Sequence, residues 1–178
     1  MDSLAQVFQV SKRETGFAVL GPRRLKEFSL IGTASEGKFT VYDTDTAPVA
    51  GTYAQSGTTV TVTDTDHGLS TGDVVGICFA IGTGGTATSG NYSITVVNAN
   101  TFTITMLNSD TITGDPACNY VANSGPNQPT PKRWLMCKGV AAGDTFANTF
   151  KVPNSGFSAK LGVYFLMSNL LEADMFYE

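Results

Sequence analysis

The sequence predicts an all-β protein, a discontinuous β-sandwich base domain with an inserted small β-barrel domain. The 178 residues include 19 Gly and 24 Thr, residue types that favour turns and strands over helices. Apolar residues such as Val60 and Val62 recur with a period of two, and no segment longer than one turn has helical periodicity. Turn signals separate the predicted strands of both flanks about every 10 residues, which is typical of a sandwich.

The charges divide the chain into a middle and two flanks. No Lys or Arg lies between Lys38 and Lys132, and this gap holds seven Asp and no Glu, hence −7. The flanks hold 11 basic and 8 acidic residues, hence +3, which accounts for the formal net charge of −4. We therefore expect two different domains. The acidic balance also excludes a general nucleic-acid binder, which needs a dense basic surface.

The flanks together form the predicted base domain, residues 1–47 and 130–178. Neither flank alone has enough strands to bury two sheet faces, whereas both together offer about eight. A short helical turn is predicted at 168–174. The expected strands are 7–11, 17–20, 24–32, 38–43, 133–140, 145–152, 161–168 and 174–177. Residues 1–10 are interpreted either as the first strand or as an arm exchanged with a neighbouring copy.

The inserted domain is predicted at 52–123, entered through the surface turn Asp43-Thr44-Asp45-Thr46. Its strands are expected at 57–63, 73–81, 92–97 and 101–106, with a long turn at 64–73 and a three-residue turn at 98–100. The nearly continuous apolar run 73–81 predicts a strand that is covered on both faces. Two linkers are predicted, 46–51 and the Pro-rich, extended segment 123–131.

Few residues suggest a catalytic, cofactor-binding or metal-binding role. Cys78, Cys118 and Cys137 form no CxxC pair, so we expect free thiols, with a Cys118–Cys137 bridge as the alternative. The single histidine, His67, has no G-x-S-x-G elbow to pair with, and no phosphate-binding loop is present. We therefore expect no enzyme, no catalytic, cofactor-binding or metal site, and no cofactor.

We also expect no targeting signal and no membrane-spanning segment in this sequence. The first residues, Met1-Asp2-Ser3-Leu4, lack the positive and apolar regions of a signal peptide. The most apolar stretch, 161–171, is shorter than the roughly 20 residues of a membrane span. We expect no membrane partner and a reducing compartment.

Two motifs stand out in the middle of the chain, Asp66-His67-Gly68-Leu69-Ser70-Thr71-Gly72-Asp73 and Val97-Asn98-Ala99-Asn100-Thr101-Phe102. With them the middle resembles a small β-barrel module that is named after a half-domain of ubiquitin-activating enzymes and recurs in bacteriophage virion proteins. The flanks contain strand 38–43, a Val-Pro-x-x-Gly step at 152–156, strand 162–164 and the terminal Phe176-Tyr177. Through these features they are similar to short β-sandwich virion proteins of tailed phages.

The resemblance implies a non-enzymatic structural protein of the virion, assembled in the host cytoplasm. We expect a homo-oligomeric capsid decoration or cement protein whose partners are the major capsid protein or other virion proteins, without nucleic acid or membrane. The alternative is a tail, adaptor or fibre-associated protein. The charges predict that the basic base faces the particle and the acidic barrel faces solvent.

Four groups of residues admit two interpretations each. His67 is expected to be structural in its turn, the alternative being a catalytic or metal-binding role. Asp64, Asp66 and Asp73 are expected to be a solvated acidic edge, the alternative being a calcium loop. Trp134 is expected to anchor a core or a subunit contact, the alternative being stacking on sugars or bases. The fourth group is the basic run Arg23, Arg24 and Lys26, either a solvated edge strand or a contact to an acidic capsid surface.

Overall fold

The computed structural model describes residues 8–123, 132–145, 148–152 and 156–177, and within them every regular element is a strand. The all-β prediction is therefore confirmed. Within these ranges no helix is long and apolar enough to span a membrane. The strands are β1 (Phe8–Lys12), β2 (Gly16–Leu20), β3 (Arg23–Gly32), β4 (Gly37–Asp43), β5 (Val49–Thr63), β6 (Val74–Phe79), β7 (Gly90–Ser93), β8 (Thr95–Asn98), β9 (Thr101–Ile112), β10 (Ala117–Asn123), β11 (Arg133–Val140), β12 (Asn148–Lys151), β13 (Phe157–Ala159), β14 (Gly162–Ser168) and β15 (Leu170–Tyr177).

The chain divides into two compact units, a base unit of Met1–Asp45 and Leu135–Glu178 and an inserted unit of Thr46–Trp134. The first boundary falls inside the turn 43–46 that was predicted as the insertion point. That turn is only half on the surface, because Asp43 and Thr44 are completely buried whereas Asp45 and Thr46 are exposed. Strand β11 contains the second boundary, so Lys132 to Trp134 belong to the inserted unit.

The base unit is a sandwich of two antiparallel sheets. One sheet has the order β1-β15-β3-β12, with β13 also paired to β3, and the other has the order β11-β4-β14-β2. Aromatic side chains from both sheets meet in the core: the rings of Phe28 and Phe39 stack at 5.4 Å, and Phe39 lies 5.7 Å from Phe165. Burying such rings is the main stabilising contribution to a core of this size.

The inserted unit is one six-stranded antiparallel sheet with the order β7-β6-β10-β5-β9-β8. One face of the sheet buries an apolar cluster that includes Val60, Val62, Ile77, Phe79 and Phe102. The barrel predicted for this unit is wrong, because no ladder of hydrogen bonds joins the edge strands β7 and β8.

One continuous piece of chain makes both edge strands. Its first half, β7, pairs with β6, and its second half, β8, pairs with β9. The chain changes from one edge to the other at Ile94, whose N–H donates to Asp73 O and whose carbonyl accepts from Gly72 N. The two edges of the strand order are therefore consecutive along the chain.

Several elements differ from the prediction. The helical turn at 168–174 is wrong: Asn169 adopts φ +51° between β14 and β15, a conformation that Asn tolerates better than most residues. The linker predicted at 46–51 is wrong from Val49 onward, where β5 begins and pairs with β10. The turn between β8 and β9 contains two residues, not three. The linker residues 124–131, the N-terminal residues 1–7 and the Pro-containing step at 153–155 lie outside the described residues.

The charge contrast is smaller between the two units than between the predicted domains. The base unit contains 9 basic and 10 acidic residues, hence −1, and the inserted unit contains 2 basic and 5 acidic residues, hence −3. The prediction of a net basic base is wrong because Lys132 and Arg133 belong to the inserted unit, whereas the predicted base included them. Net charge therefore gives no direction for a surface to face.

Candidate functional site

His67 lies in the turn between β5 and β6, and both of its ring nitrogens are hydrogen-bonded. The Leu69 N–H donates to Nδ1 at 3.0 Å, so Nε2 carries the hydrogen and donates to Asn98 O at 3.0 Å. The ring also packs edge-to-face on Phe102 at 5.4 Å. Neither nitrogen remains for a metal ion or a substrate proton, and the geometry assigns His67 to the turn.

The aspartates around this turn also act as hydrogen-bond acceptors. Asp64 accepts from the Tyr120 hydroxyl at 2.6 Å, and Asp73, only 7% exposed, accepts from the Ser70 N–H at 2.9 Å. The expectation of a solvated acidic edge is therefore wrong for the buried Asp73, whereas Asp64 is half-buried and Asp66 is exposed with φ +53°. Across the described ranges, no group of three His, Cys, Asp or Glu side chains is placed to hold a metal ion.

Burial keeps two core groups near this turn protonated. Burial raises the pKa of the Tyr120 phenol, and the hydrogen bond to Asp64 raises it further. Burial also raises the pKa of the Cys118 thiol to about 12, with the negative charge of Asp64 adding to the effect. Because the thiolate is the reactive form, Cys118 is chemically inert at neutral pH.

All three cysteines are free thiols, so the alternative of a Cys118–Cys137 bridge is wrong. Cys118 lies in the apolar cluster of the inserted unit. Cys137 belongs to the base unit, where its sulfur accepts from the Thr40 hydroxyl at 3.7 Å. The two thiols are therefore built into different units.

The basic run Arg23, Arg24 and Lys26 is not on an edge strand, as one interpretation held. It lies in β3, which pairs with β15 on one side and with β12 and β13 on the other. With ten residues, β3 is long enough to pair along both sides. Arg23 is exposed, whereas the other two side chains are half-buried.

A pair of asparagines holds the segment that leaves the inserted unit. The Asn91 amide accepts from the Trp134 N–H at 2.9 Å and donates to its carbonyl at 3.1 Å. Asn123 does the same for Lys132, accepting from its N–H and donating to its carbonyl at 2.6 Å. Each amide side chain thus makes the two backbone hydrogen bonds that a neighbouring strand would otherwise make. The ammonium of Lys132 also donates to the Thr46 hydroxyl at 3.0 Å, which joins the incoming and outgoing segments.

Gly76 makes this close approach possible. A Cβ at this position would lie 2.2 Å from the Trp134 nitrogen and 2.8 Å from both the Arg133 carbonyl carbon and Asn91 Oδ1. The sequence carries a weak signal for it, since a Gly inside an apolar strand often marks a close backbone contact. Trp134 itself is half-buried and its indole nitrogen is fully buried, which fits an anchor better than an open stacking surface.

Replacing His67 by Phe should lower the free energy of unfolding by about 1–2 kcal/mol, because the ring contact remains while two hydrogen bonds are lost. Urea denaturation followed by circular dichroism measures the change. Asp66→Asn, at the exposed neighbour, is the control and should change stability by less than about 0.5 kcal/mol. Equal stability of the His67 variant and the wild type would contradict the structural role.

Comparison with known proteins adds little to this description. No protein-family model matches the chain, and no curated protein matches it. Among solved structures, the phage phi92 endosialidase is similar at a TM-score of 0.31 and 20% identity. The alignment covers 84% of this chain and 21% of that one, so this chain spans about a fifth of the length of the endosialidase chain. A superposition of this quality carries no argument about function.

Proposed function

We propose that this chain is a non-enzymatic structural protein of a tailed-phage virion, and specifically a capsid decoration or cement protein that binds the assembled shell. The proposal rests on the structural role of the side chains in the histidine turn. In the segment that resembles the phage module, His67, Asp64 and Asp73 hold the backbone and the core together. This use of the turn as a scaffold element supports the proposal, because the resemblance implies the same role.

Such a protein acts by mass action. A protein that binds the assembled lattice but not its dissociated subunits stabilises the lattice, and many copies acting together convert weak contacts into strong attachment. The partners would be the major capsid protein or other virion proteins, with further copies of this chain beside it. A tail, adaptor or fibre-associated protein is the alternative, and both roles use the same all-β architecture.

The number of copies in a purified virion distinguishes the two roles. A decoration protein follows the capsid lattice, so we expect one copy for each lattice repeat, whereas a tail component follows the low symmetry of the tail. Quantitative mass spectrometry against labelled peptides of the major capsid protein measures this ratio. A ratio of only a few copies per particle would contradict the decoration role, and absence from the virion would contradict the proposal as a whole.

We further propose that the base unit attaches to the particle and the inserted unit faces solvent. Its support is the contact between Lys132 and Thr46, which places both ends of the inserted unit side by side, as in a module carried on a surface turn. Replacing residues 46–134 by a short Gly/Ser linker should then leave particle binding intact. A replaced protein that is folded by circular dichroism but no longer sediments with undecorated particles would contradict this assignment.

A further inference from the structure

The turn between β5 and β6 contains a short flap, residues 68–72, with a glycine at each end. Gly68 has φ +65° and Gly72 has φ +96°, and beyond its chain neighbours a Cβ on either residue would meet no atom closer than 4.0 Å. Glycine adopts a positive φ readily, and the space around both residues is open, so neither is locked by its surroundings. The two glycines can therefore act as hinges, which absorb the change in φ and ψ when a segment moves.

His67 fixes the start of the flap. The Leu69 N–H donates to His67 Nδ1 at 3.0 Å, and the half-buried Leu69 side chain packs on the apolar cluster of the inserted unit. The closed flap thus covers part of that cluster. Its other residues are held by hydrogen bonds from the Ser70 N–H to Asp73 Oδ2, from the Val96 N–H to Thr71 Oγ1 and from the Gly72 N–H to Ile94 O. Among these partners only the imidazole belongs to a residue type that titrates near neutral pH.

The bond to Leu69 exists only while the imidazole is neutral. A ring nitrogen that accepts a hydrogen bond carries no hydrogen, whereas both nitrogens of an imidazolium are donors. A proton taken up from solvent at Nδ1 therefore sets one N–H group against another, and the bond is lost. The bond from Nε2 to Asn98 O survives, because Nε2 donates in both forms. The protonated ring thus stays attached to β8 and releases only the flap.

The ionisable groups around His67 leave a pH window for this event. The turn itself carries carboxylates, whose residue type titrates about two pH units below histidine, and their negative charge favours a positive ring. Burial raises the pKa of the phenol and the thiol on the neighbouring β10, so both stay neutral. The groups are Asp64, Asp66 and Asp73 in the turn, Tyr120 and Cys118 on β10, Asp110 at the far end of β9, and Lys132 and Arg133 after Asn123, which donates to Val74 O at the start of β6.

We propose that His67 is an acid-sensitive latch for this flap. Protonation of Nδ1 breaks the bond to Leu69, and the flap turns outward about Gly68 and Gly72 while the sheet of the inserted unit stays folded. The Leu69 side chain then leaves the apolar cluster and uncovers the surface beneath it. Because the closed state binds one proton fewer than the open state, a falling pH shifts the equilibrium toward the open flap. This regulation goes beyond the proposed structural role and does not depend on it.

Hydrogen exchange of the Leu69 amide in the full chain tests the latch. NMR spectra at about pH 7.5 and about pH 5.5, corrected for intrinsic exchange rates, should show its protection falling about tenfold at the lower pH, the change expected for one lost hydrogen bond. The backbone N–H of His67, which donates to Ala99 O outside the flap, should keep its protection. Equal protection of Leu69 at both pH values would overturn the proposal, as would an equal loss at both amides.

A matched pair of variants assigns the effect to the ring. In His67→Asn the amide oxygen takes the place of Nδ1, as in an Asx turn, and is not protonated, so the protection of Leu69 should no longer depend on pH. Asp73→Asn removes the other titratable acceptor of the flap and should keep the dependence. The same fall in His67→Asn as in the wild type would overturn the latch.

A measurement on the wild type keeps the test independent of how the variants fold. Nitrogen NMR of the imidazole follows the titration of the single histidine directly. The chemical shift of the Leu69 amide should change with the same midpoint as the ring. A different midpoint, or no change, would overturn the proposal.

Discussion

Replacing Asp43 by alanine should lower the free energy of unfolding by about 3 kcal/mol or more. This carboxylate is completely buried at the end of β4 and accepts backbone N–H groups from three consecutive residues. The distances are 2.9 Å to Lys160, 2.8 Å to Leu161 and 3.4 Å to Gly162. Alanine removes both acceptor oxygens at once and leaves these partly buried donors without the carboxylate, and each unsatisfied buried group costs about 1–3 kcal/mol.

Urea denaturation followed by circular dichroism measures the loss in free energy of unfolding. Two further variants serve as comparisons. Asp43→Asn keeps one acceptor oxygen and should lose clearly less stability than Asp43→Ala. Glu14→Ala, in the exposed turn between β1 and β2, should stay within about 0.5 kcal/mol of the wild type. If the alanine and asparagine variants are equally stable, the hydrogen bonds to the carboxylate are not what stabilises this turn.

Replacing Gly76 by alanine should cost about 2–4 kcal/mol, because the added methyl group cannot fit beneath the outgoing segment. The nearest atoms, at 2.2 and 2.8 Å, include backbone atoms that no side-chain rotation can move. The segment must shift, and the paired hydrogen bonds between Asn91 and Trp134 are then lost. Trp134 is the single tryptophan of the chain, so its fluorescence reports the change during urea denaturation.

Gly139→Ala is the matched control for this prediction. Gly139 is also a strand glycine, but a Cβ there meets nothing within 4 Å, so stability should hardly change. In the double variant Gly76→Ala and Asn91→Ala the losses should be less than additive, because both changes disrupt the same contact. Strict additivity would show that the methyl group acts elsewhere.

Local patterns predicted most strands correctly, since a strand that is buried on one face must alternate in polarity. The alternation in β5 and β9 places Val60, Val62 and Phe102 in the core, as the structure confirms. The apolar run at β6 predicted burial on both faces, and both Phe79 and Cys78 are indeed buried on opposite sides. Strand β10 was missed because Asn119 and the small residues around it have low strand propensity.

Local sequence patterns predicted the candidate sites much less well than they predicted the strands. Nothing near Asp43 marks its burial, because its three donors come from residues about 118 positions later in the chain. The histidine turn was recognised from its spacing, but the hydrogen bond from its ring to Asn98 O reaches a strand 31 residues later in the chain.

The sequence by itself determined the all-β class, the sandwich, most strands and many of the turns, because these follow from the two-residue period and from turn residues acting over short distances. Only the tertiary structure decided whether the inserted sheet closes, which acidic and basic residues belong to each unit, and which polar groups are satisfied. Those properties depend on which distant segments hydrogen-bond, and such pairing is a property of the folded chain. The change of pairing partner from β6 to β9 at Ile94 and the buried acceptor at Asp43 are the two clearest examples.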